Sequence, residues 1–142
     1  MKIKIIAKGG ILPAYQTKGS AGMDLHAYLS ESITISPGER DLIPTGLAIQ
    51  LPLGYEAQIR ARSGLAIKYG IGLVNGIGTI DSDYRGEIKV PLINWGNIPF
   101  VINNGDRIAQ MIIARYESVE WEKVKSLEES IRGDGGFGHT GQ

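Results

Sequence analysis

A strict alternation of apolar and polar side chains runs through Tyr55-Glu56-Ala57-Gln58-Ile59-Arg60-Ala61-Arg62. In an extended chain the odd-numbered residues share one face and the polar residues share the other, which is typical of a half-buried β-strand. The same alternation recurs in residues 23–30, 47–51 and 88–92, while residues 108–114 are apolar on both faces except for Gln110. Many short strands separated by turn signals predict an all-β sandwich or barrel.

Only one segment favours a helix. Residues 63–69 lack the alternation. The segment begins at Ser63, which we expect to cap the helix, and Gly70, which follows it, is expected to end the helix. The predicted fold is therefore all-β with one short helix.

Composition limits the possible functions. The chain has 142 residues, which suits one domain, and its 20 glycines are about twice the usual share of ~7%. The absence of cysteine excludes disulfides and cysteine-ligated zinc, and two histidines are too few for a histidine-rich metal site. Because the net charge is zero and no long basic run is present, we expect no nucleic-acid partner. The start of the chain suggests neither a signal peptide nor a membrane span, so we expect a cytoplasmic protein that acts on a small molecule.

Three segments contain the candidate chemistry, and each allows two interpretations. Residues 75–86 are either a solvated hairpin or a pocket in which glycines let the backbone approach a flat ligand. Residues 62–66 are either an ordinary ion pair and helix cap or an anion site at a helix start. The glycine-rich residues 132–142 are either an unstructured end or an arm in which Phe137 stacks on a base.

Together, five segments resemble the motifs of the dUTPase family, in the family's order. They read AGMDLHA at residues 21–27, RSGLA at 62–66, NGIGTIDSDYRGE at 75–87, GDRIAQ at 105–110 and RGDGGFGHTG at 132–141. One departure is His139, which stands where the family usually has serine, although Thr140 keeps a hydroxyl next to it.

The resemblance implies a jelly-roll-like β-barrel over residues 1–131 and a C-terminal arm over residues 132–142. It implies a homotrimer whose active sites are shared between subunits, with the arm closing over a neighbour's site. The reaction it implies is Mg²⁺-assisted hydrolysis of dUTP to dUMP and pyrophosphate, which limits uracil in DNA and supplies dUMP for thymidylate synthesis.

The resemblance also implies roles for individual residues. Asp81 is the general base for the attacking water, and Asp24 contacts Mg²⁺ through water. Tyr84 lies against the deoxyribose, and Phe137 covers the uracil. Arg107 is left unassigned, as a structural ion-pair residue. The implied substrate contacts are Arg62, Ser63, Gly64, Asn75, Gly78, Thr79, Ile80, Tyr84, Lys89, Gln110, Arg132, Phe137, Gly138 and Thr140.

Two alternatives stay open at this point. A dCTP deaminase has a related fold, but its chemistry needs an acid/base group at C4 of the base, and residues 75–84 resemble the hydrolase version. A non-catalytic nucleotide-sensing trimer is the other alternative, against which the presence of Asp81 and of a complete arm both count.

Overall fold

The computed structural model describes residues 1–136. Within them the chain forms eleven strands and one helix. The elements are β1 (Lys4–Ala7), β2 (Met23–His26), β3 (Ile33–Ile35), β4 (Arg40–Pro44), β5 (Leu47–Gln50), β6 (Tyr55–Arg60), α1 (Ser63–Tyr69), β7 (Ile71–Leu73), β8 (Ile77–Ile80), β9 (Lys89–Asn94), β10 (Phe100–Ile102) and β11 (Arg107–Arg115).

The strands pair antiparallel in four small sheets that enclose one core. The largest has the order β2-β11-β6-β8, a second has the order β4-β9-β7, and β1-β5 and β10-β3 form two-stranded ladders. The predicted all-β fold with one short helix is confirmed. It places β6 and β11, the two strands with the clearest sequence signals, side by side in the largest sheet.

The core is built from the alternating positions. In β6 Ala57 and Ile59 are buried while Arg60 is exposed, and in β9 Val90 and Leu92 are buried while Lys89 is exposed. Branched aliphatic residues predominate because they pack well on a pleated surface. The buried apolar residues are Leu25, Ala27, Ile35, Ile43, Leu47, Ile49, Leu51, Ala57, Ile59, Ile71, Leu73, Ile88, Val90, Leu92, Ile102, Ile108, Ala109 and Met111.

Helix α1 has the predicted span but not the predicted cap. Arg62, in an extended conformation, is the N-cap residue, and within residues 1–136 no side-chain hydrogen bond caps the helix. Ser63 is instead the first helical residue, so the expectation that it caps the helix is wrong. Gly70 ends the helix as expected, with φ 69° in the left-handed region, which favours glycine because it has no Cβ.

Beyond β11 the described chain has no helix or strand. Residues 117–134 are exposed, and they include large apolar side chains such as Trp121, which is 93% exposed, and Leu127, which is 86% exposed. Among residues 1–136, no helix has the length and apolar character needed to cross a membrane. The domain boundary between residues 131 and 132 stays a prediction.

Candidate active site

Two separate cavities contain most of the predicted site residues. The first, which we call the arginine cavity, has a volume of about 510 Å³ and is lined by Gln16, Ser20, Ala21, Gly22, Asp24, Arg60, Arg62, Ser63, Gly64, Arg107, Gln110 and Ile112. The second, the hairpin cavity, has a volume of about 290 Å³ and is lined by Leu42, Thr79, Ile80, Asp81, Tyr84, Glu87 and Lys89. Each unites segments that are distant in sequence.

The arginine cavity contains three guanidinium groups and one carboxylate. Arg60 and Arg62 come from the end of β6 and the turn after it, Arg107 comes from the start of β11, and Asp24 lies in β2. The excess of positive charge favours an anionic ligand, and guanidinium groups match phosphate oxygens in a bidentate way.

Asp24 is held between two of these arginines. Its Oδ1 lies 3.2 Å from Arg62 Nε and its Oδ2 lies 3.3 Å from Arg107 Nη1, and the Asp24 side chain is only 12% exposed. Because each carboxylate oxygen faces a different cation, Asp24 fixes the relative positions of the two guanidinium groups.

The start of α1 forms the adjoining wall. The carbonyl of Arg62 accepts hydrogen bonds from the N–H groups of Leu65 and Ala66, at 3.1 and 3.0 Å. Ser63 and Gly64 are exposed at this end, and an added Cβ on Gly64 would meet nothing within 4 Å. The first N–H groups of a helix lack partners within it, so this wall can donate to an anion beside the arginines.

Gln110 lines the arginine cavity. Its Nε2 donates to the carbonyl of Ala61 at 3.0 Å. A Cβ on Gly22 would lie 2.6 Å from Gln110 Oε1, so glycine at this position leaves room for the amide. With one N–H of Nε2 engaged by the backbone, the second N–H is the donor that can reach a ligand.

The hairpin cavity contains the Asp81 carboxylate. Asp81 follows β8, is exposed, and accepts a hydrogen bond at its backbone carbonyl from the N–H of Tyr84, at 3.2 Å. Within residues 1–136 no ion pair engages its side chain. An accessible carboxylate without a cationic partner can accept a proton from water.

Tyr84 is fixed against the segment that connects β8 to β9. These two strands belong to different sheets, so residues 75–86 do not form a paired hairpin, and the hairpin cavity keeps that name only as a label. Its hydroxyl donates to the carbonyl of Glu87 at 2.9 Å. Glu87 Oε1 in turn accepts a hydrogen bond from the N–H of Gly46 at 2.8 Å, and Thr45 Oγ1 donates to the carbonyl of Ile88 at 2.6 Å. These hydrogen bonds attach the segment between β8 and β9 to the turn between β4 and β5, which gives the tyrosine ring a defined position.

Other predicted site residues lie outside both cavities. Asn75 is exposed in the turn before β8, and Gly78 is buried in β8 opposite Ile59 of β6. Arg132 is exposed, and its Nε donates to the carbonyl of Gly135 at 2.8 Å. The predicted contacts Phe137, Gly138 and Thr140 lie outside the described residues.

The arginine cavity and the hairpin cavity share no lining residue among the described ones. The first opens over β2, β11 and the end of β6, and the second lies between β8, β4 and β9. Within the described part of one chain, the anion-binding groups and the Asp81 carboxylate are therefore in different cavities.

Several residues that line the two cavities were not predicted as site residues from the sequence. Gln16, Ser20 and Arg60 line the arginine cavity, and Leu42 and Glu87 line the hairpin cavity. For Arg60 there was a signal, because it lies on the polar face of a strand that leads to Arg62. Glu87 ends the third motif but was given no role there, and Gln16, Ser20 and Leu42 carry no pattern that sets them apart from ordinary loop or strand residues.

The residues present do not form a metal cage. Within residues 1–136 no three Asp, Glu or His side chains lie close enough together to hold an ion. Among the described residues that line the arginine cavity, Asp24 is the only carboxylate, and both its oxygens face arginines. This donor set fits only an ion bound chiefly by a ligand's own oxygens and by water, a mode that suits Mg²⁺.

Comparison with known proteins identifies the family. A model of the dUTPase family matches residues 8–141. The deoxyuridine 5'-triphosphate nucleotidohydrolases of Finegoldia magna and Rickettsia felis are 59% and 61% identical to this chain, with 99% of it covered in both cases and 99% and 96% of the relatives. The structure of the Staphylococcus bacteriophage 80alpha dUTPase with dUPNHPP superimposes with a TM-score of 0.90 at 24% identity, covering 99% of each chain. This similarity confirms the jelly-roll-like fold. The chain belongs to the dUTPase family.

Proposed function

We propose that this protein is a dUTP diphosphatase, which hydrolyses dUTP to dUMP and pyrophosphate. The observation that carries the proposal is the presence on one small fold of two complementary cavities. One has three arginines beside a helix start, and the other has the accessible carboxylate of Asp81 directly after the glycine-containing strand β8. A nucleoside triphosphate needs both kinds of surface.

Asp81 is the general base of the proposed reaction. Its carboxylate accepts a proton from a water molecule as the water oxygen attacks the α-phosphorus. A new P–O bond forms, and the bond from the α-phosphorus to the oxygen that bridges it to the β-phosphorus breaks. The electron pair of the broken bond leaves with pyrophosphate, and dUMP keeps the oxygen of the water. Base catalysis of this kind contributes about 10²–10⁴-fold to the rate.

The arginine cavity takes the phosphates. Arg62, the start of α1 at Ser63 and Gly64, and the second Nε2–H of Gln110 all present donors to it. The arm supplies further contacts in this proposal, with Arg132 and Thr140 on the terminal phosphates and Gly138 close to them. Mg²⁺, carried by the triphosphate and touching Asp24 through water, would neutralise part of the phosphate charge.

Residues 75–89 recognise the base and the sugar in this proposal. Uracil presents an N3–H donor between two acceptors, and the backbone groups of Gly78, Thr79 and Ile80 cannot exchange donor for acceptor. Cytosine, with an acceptor at N3 and a donor at C4, is therefore rejected. Lys89 completes the contact through its backbone, and Asn75 adds an amide from the turn before β8.

Sugar and base are then enclosed by two aromatic rings. Tyr84 lies against the deoxyribose and leaves no room for a 2′-hydroxyl, and Phe137 of the arm covers the uracil. A cytoplasmic location is part of the proposal.

The active enzyme in this proposal is a homotrimer. The separation of the two cavities within the described chain supports an assembly of more than one copy, because a second copy is needed to bring a phosphate cavity to a hairpin cavity. The exposed apolar side chains of residues 117–131, which include Val119, Trp121 and Leu127, support it further, since they need a partner surface. Sedimentation of the full chain tests the assembly, and a fully active monomer would contradict it.

One assay separates the proposed activity from its alternatives. The protein is incubated with Mg²⁺ and, in turn, dUTP, dCTP, dTTP and UTP, and both pyrophosphate and deaminated base are followed. Pyrophosphate from dUTP alone is the expected result. Deamination of dCTP would identify a deaminase, and binding of dUTP without any turnover would identify a sensor.

A further inference from the structure

An irregularity in β11 brings Arg107 to the arginine cavity. Residues 109–111 of β11 pair with β2 in one register, with Gln110 opposite Asp24, but Arg107 lies opposite His26, so the register shifts between Arg107 and Ala109. Without the shift, Arg107 would lie opposite Ala27. The two consecutive buried residues Ile108 and Ala109 mark the same break in the alternation.

The bulge changes the face on which Arg107 lies. In a regular strand Arg107, three residues from Gln110, would be on the opposite face, which at this point contains the core residue Leu25. A one-residue shift moves a side chain to the other face, and bulges serve to redirect side chains in this way. Arg107 is thereby placed on the same face as Asp24.

Once there, Arg107 contacts the Asp24–Arg62 pair at two points. Its Nη1 lies 3.3 Å from Asp24 Oδ2, and its backbone carbonyl accepts a hydrogen bond from Arg62 Nη1 at 3.1 Å. Asp24 Oδ1 faces Arg62 Nε. Within residues 1–136 the protein therefore engages Nε and Nη1 of Arg62, and it leaves Nη2 of that guanidinium for a ligand.

We propose that Arg107 is a positioning residue, which orients Arg62 toward a phosphate group by holding Asp24 from the side opposite Arg62. Without Arg107, one oxygen of Asp24 loses its cation, and Arg62 can turn toward that oxygen and away from the ligand. This inference rests on the phosphate role that the proposed function gives to Arg62.

The test is a double-mutant cycle in which binding of inorganic triphosphate with Mg²⁺ is measured by calorimetry on the full chain. Arg107→Met, Asp24→Asn and the double variant are compared with the unaltered protein. Arg115→Met is the matched control, because it removes the same charge from the other end of β11, where Arg115 Nε donates to the hydroxyl of Tyr55.

Arg107→Met is expected to weaken triphosphate binding about threefold to fivefold, the upper part of the range for a partly exposed ion pair. In the Asp24→Asn background the same substitution should cost no more than Arg115→Met does. Arg107→Lys, which keeps a cation beside Asp24, should recover part of the loss.

Equal effects of Arg107→Met with and without the Asp24 carboxylate would overturn the proposal, because Arg107 would then bind the phosphate directly. An effect no larger than that of Arg115→Met would also overturn it, as would failure of the unaltered protein to bind triphosphate. If Arg107→Met does not fold, Arg107→Lys measured in both backgrounds decides. Since the probe is inorganic, a protein that binds triphosphate but does not hydrolyse dUTP would contradict the proposed function and leave this inference standing.

Discussion

Replacing Gly86 by alanine tests the proposed role of Tyr84 in selecting deoxyribose. A Cβ on Gly86 would lie 2.5 Å from Cζ of Tyr84 and 2.9 Å from Cε2, and closer still to the hydroxyl oxygen. The backbone of Gly86 does not have a positive φ, so alanine is not strained there and the contact itself must be relieved. The ring of Tyr84, which is 43% exposed, is the group that can move.

The structural cost of this movement is small. The ring gives up the hydrogen bond from its hydroxyl to the carbonyl of Glu87, and a typical intramolecular hydrogen bond contributes about 0.5–1.5 kcal/mol net. In a chain of this size a loss of about 1 kcal/mol lowers the melting temperature by roughly 2–4 °C. The variant is therefore expected to stay folded.

The cost in selectivity is larger. A binding-site surface that excludes an added hydroxyl group by shape favours the substrate without that hydroxyl by about 10²-fold in kcat/KM. Once the Tyr84 ring is displaced, most of that discrimination is lost, so the ratio of kcat/KM for dUTP to kcat/KM for UTP should fall about tenfold or more.

Steady-state kinetics with both nucleotides measures this ratio, and thermal unfolding measures stability. Gly19→Ala is the control, because a Cβ on Gly19 would meet nothing within 4 Å. If the Gly86→Ala variant folds and keeps the unaltered selectivity ratio, the position of the Tyr84 ring does not determine the choice of sugar.

Three further predictions concern the general base Asp81, the C-terminal arm and the core. Asp81→Asn should lower dUTP turnover by about 10²–10⁴-fold while leaving dUTP affinity within a few-fold, and turnover at the unaltered rate would exclude Asp81 as the base. Deleting residues 132–142 should reduce turnover about 10²-fold through loss of substrate positioning, with an unchanged melting temperature, whereas full activity would show that the arm is dispensable. Asn94→Ala should destabilise the protein by about 2–4 kcal/mol in denaturant unfolding, because it leaves the Ile35 and Ile98 carbonyls and the Gly96 N–H without their partner, while exposed Asn97→Ala should cost little.

The sequence predicted those parts of the fold in which local pattern and burial agree. The alternation in β6, the apolar run of β11 and the span of α1 all appear in the structure. The strands that the pattern did not indicate include β1, whose residues are all exposed, and β7, in which Ile71, Gly72 and Leu73 are all buried. In neither strand is one face buried and the other exposed, and apolar and polar residues alternate only where the two faces differ in burial.

The candidate site shows a similar limit. Motif resemblance selected residues that line both cavities, but it could not show that Arg107 shares a face with Asp24. Counting residues along a regular strand puts Arg107 on the other face, and only the register shift between Arg107 and Ala109 corrects this. The separation of Asp81 from the arginine cavity likewise depends on how β8 and β11 are placed around β6.

Hydrolysis of dUTP in ¹⁸O-labelled water shows which phosphorus is attacked. In the proposed reaction water, deprotonated by Asp81, attacks the α-phosphorus and pyrophosphate leaves. Mass spectrometry of the products after a single turnover should find the label in dUMP and none in pyrophosphate. Label in pyrophosphate would place the attack on the β-phosphorus and contradict the account, and the absence of both products would contradict the proposed activity itself.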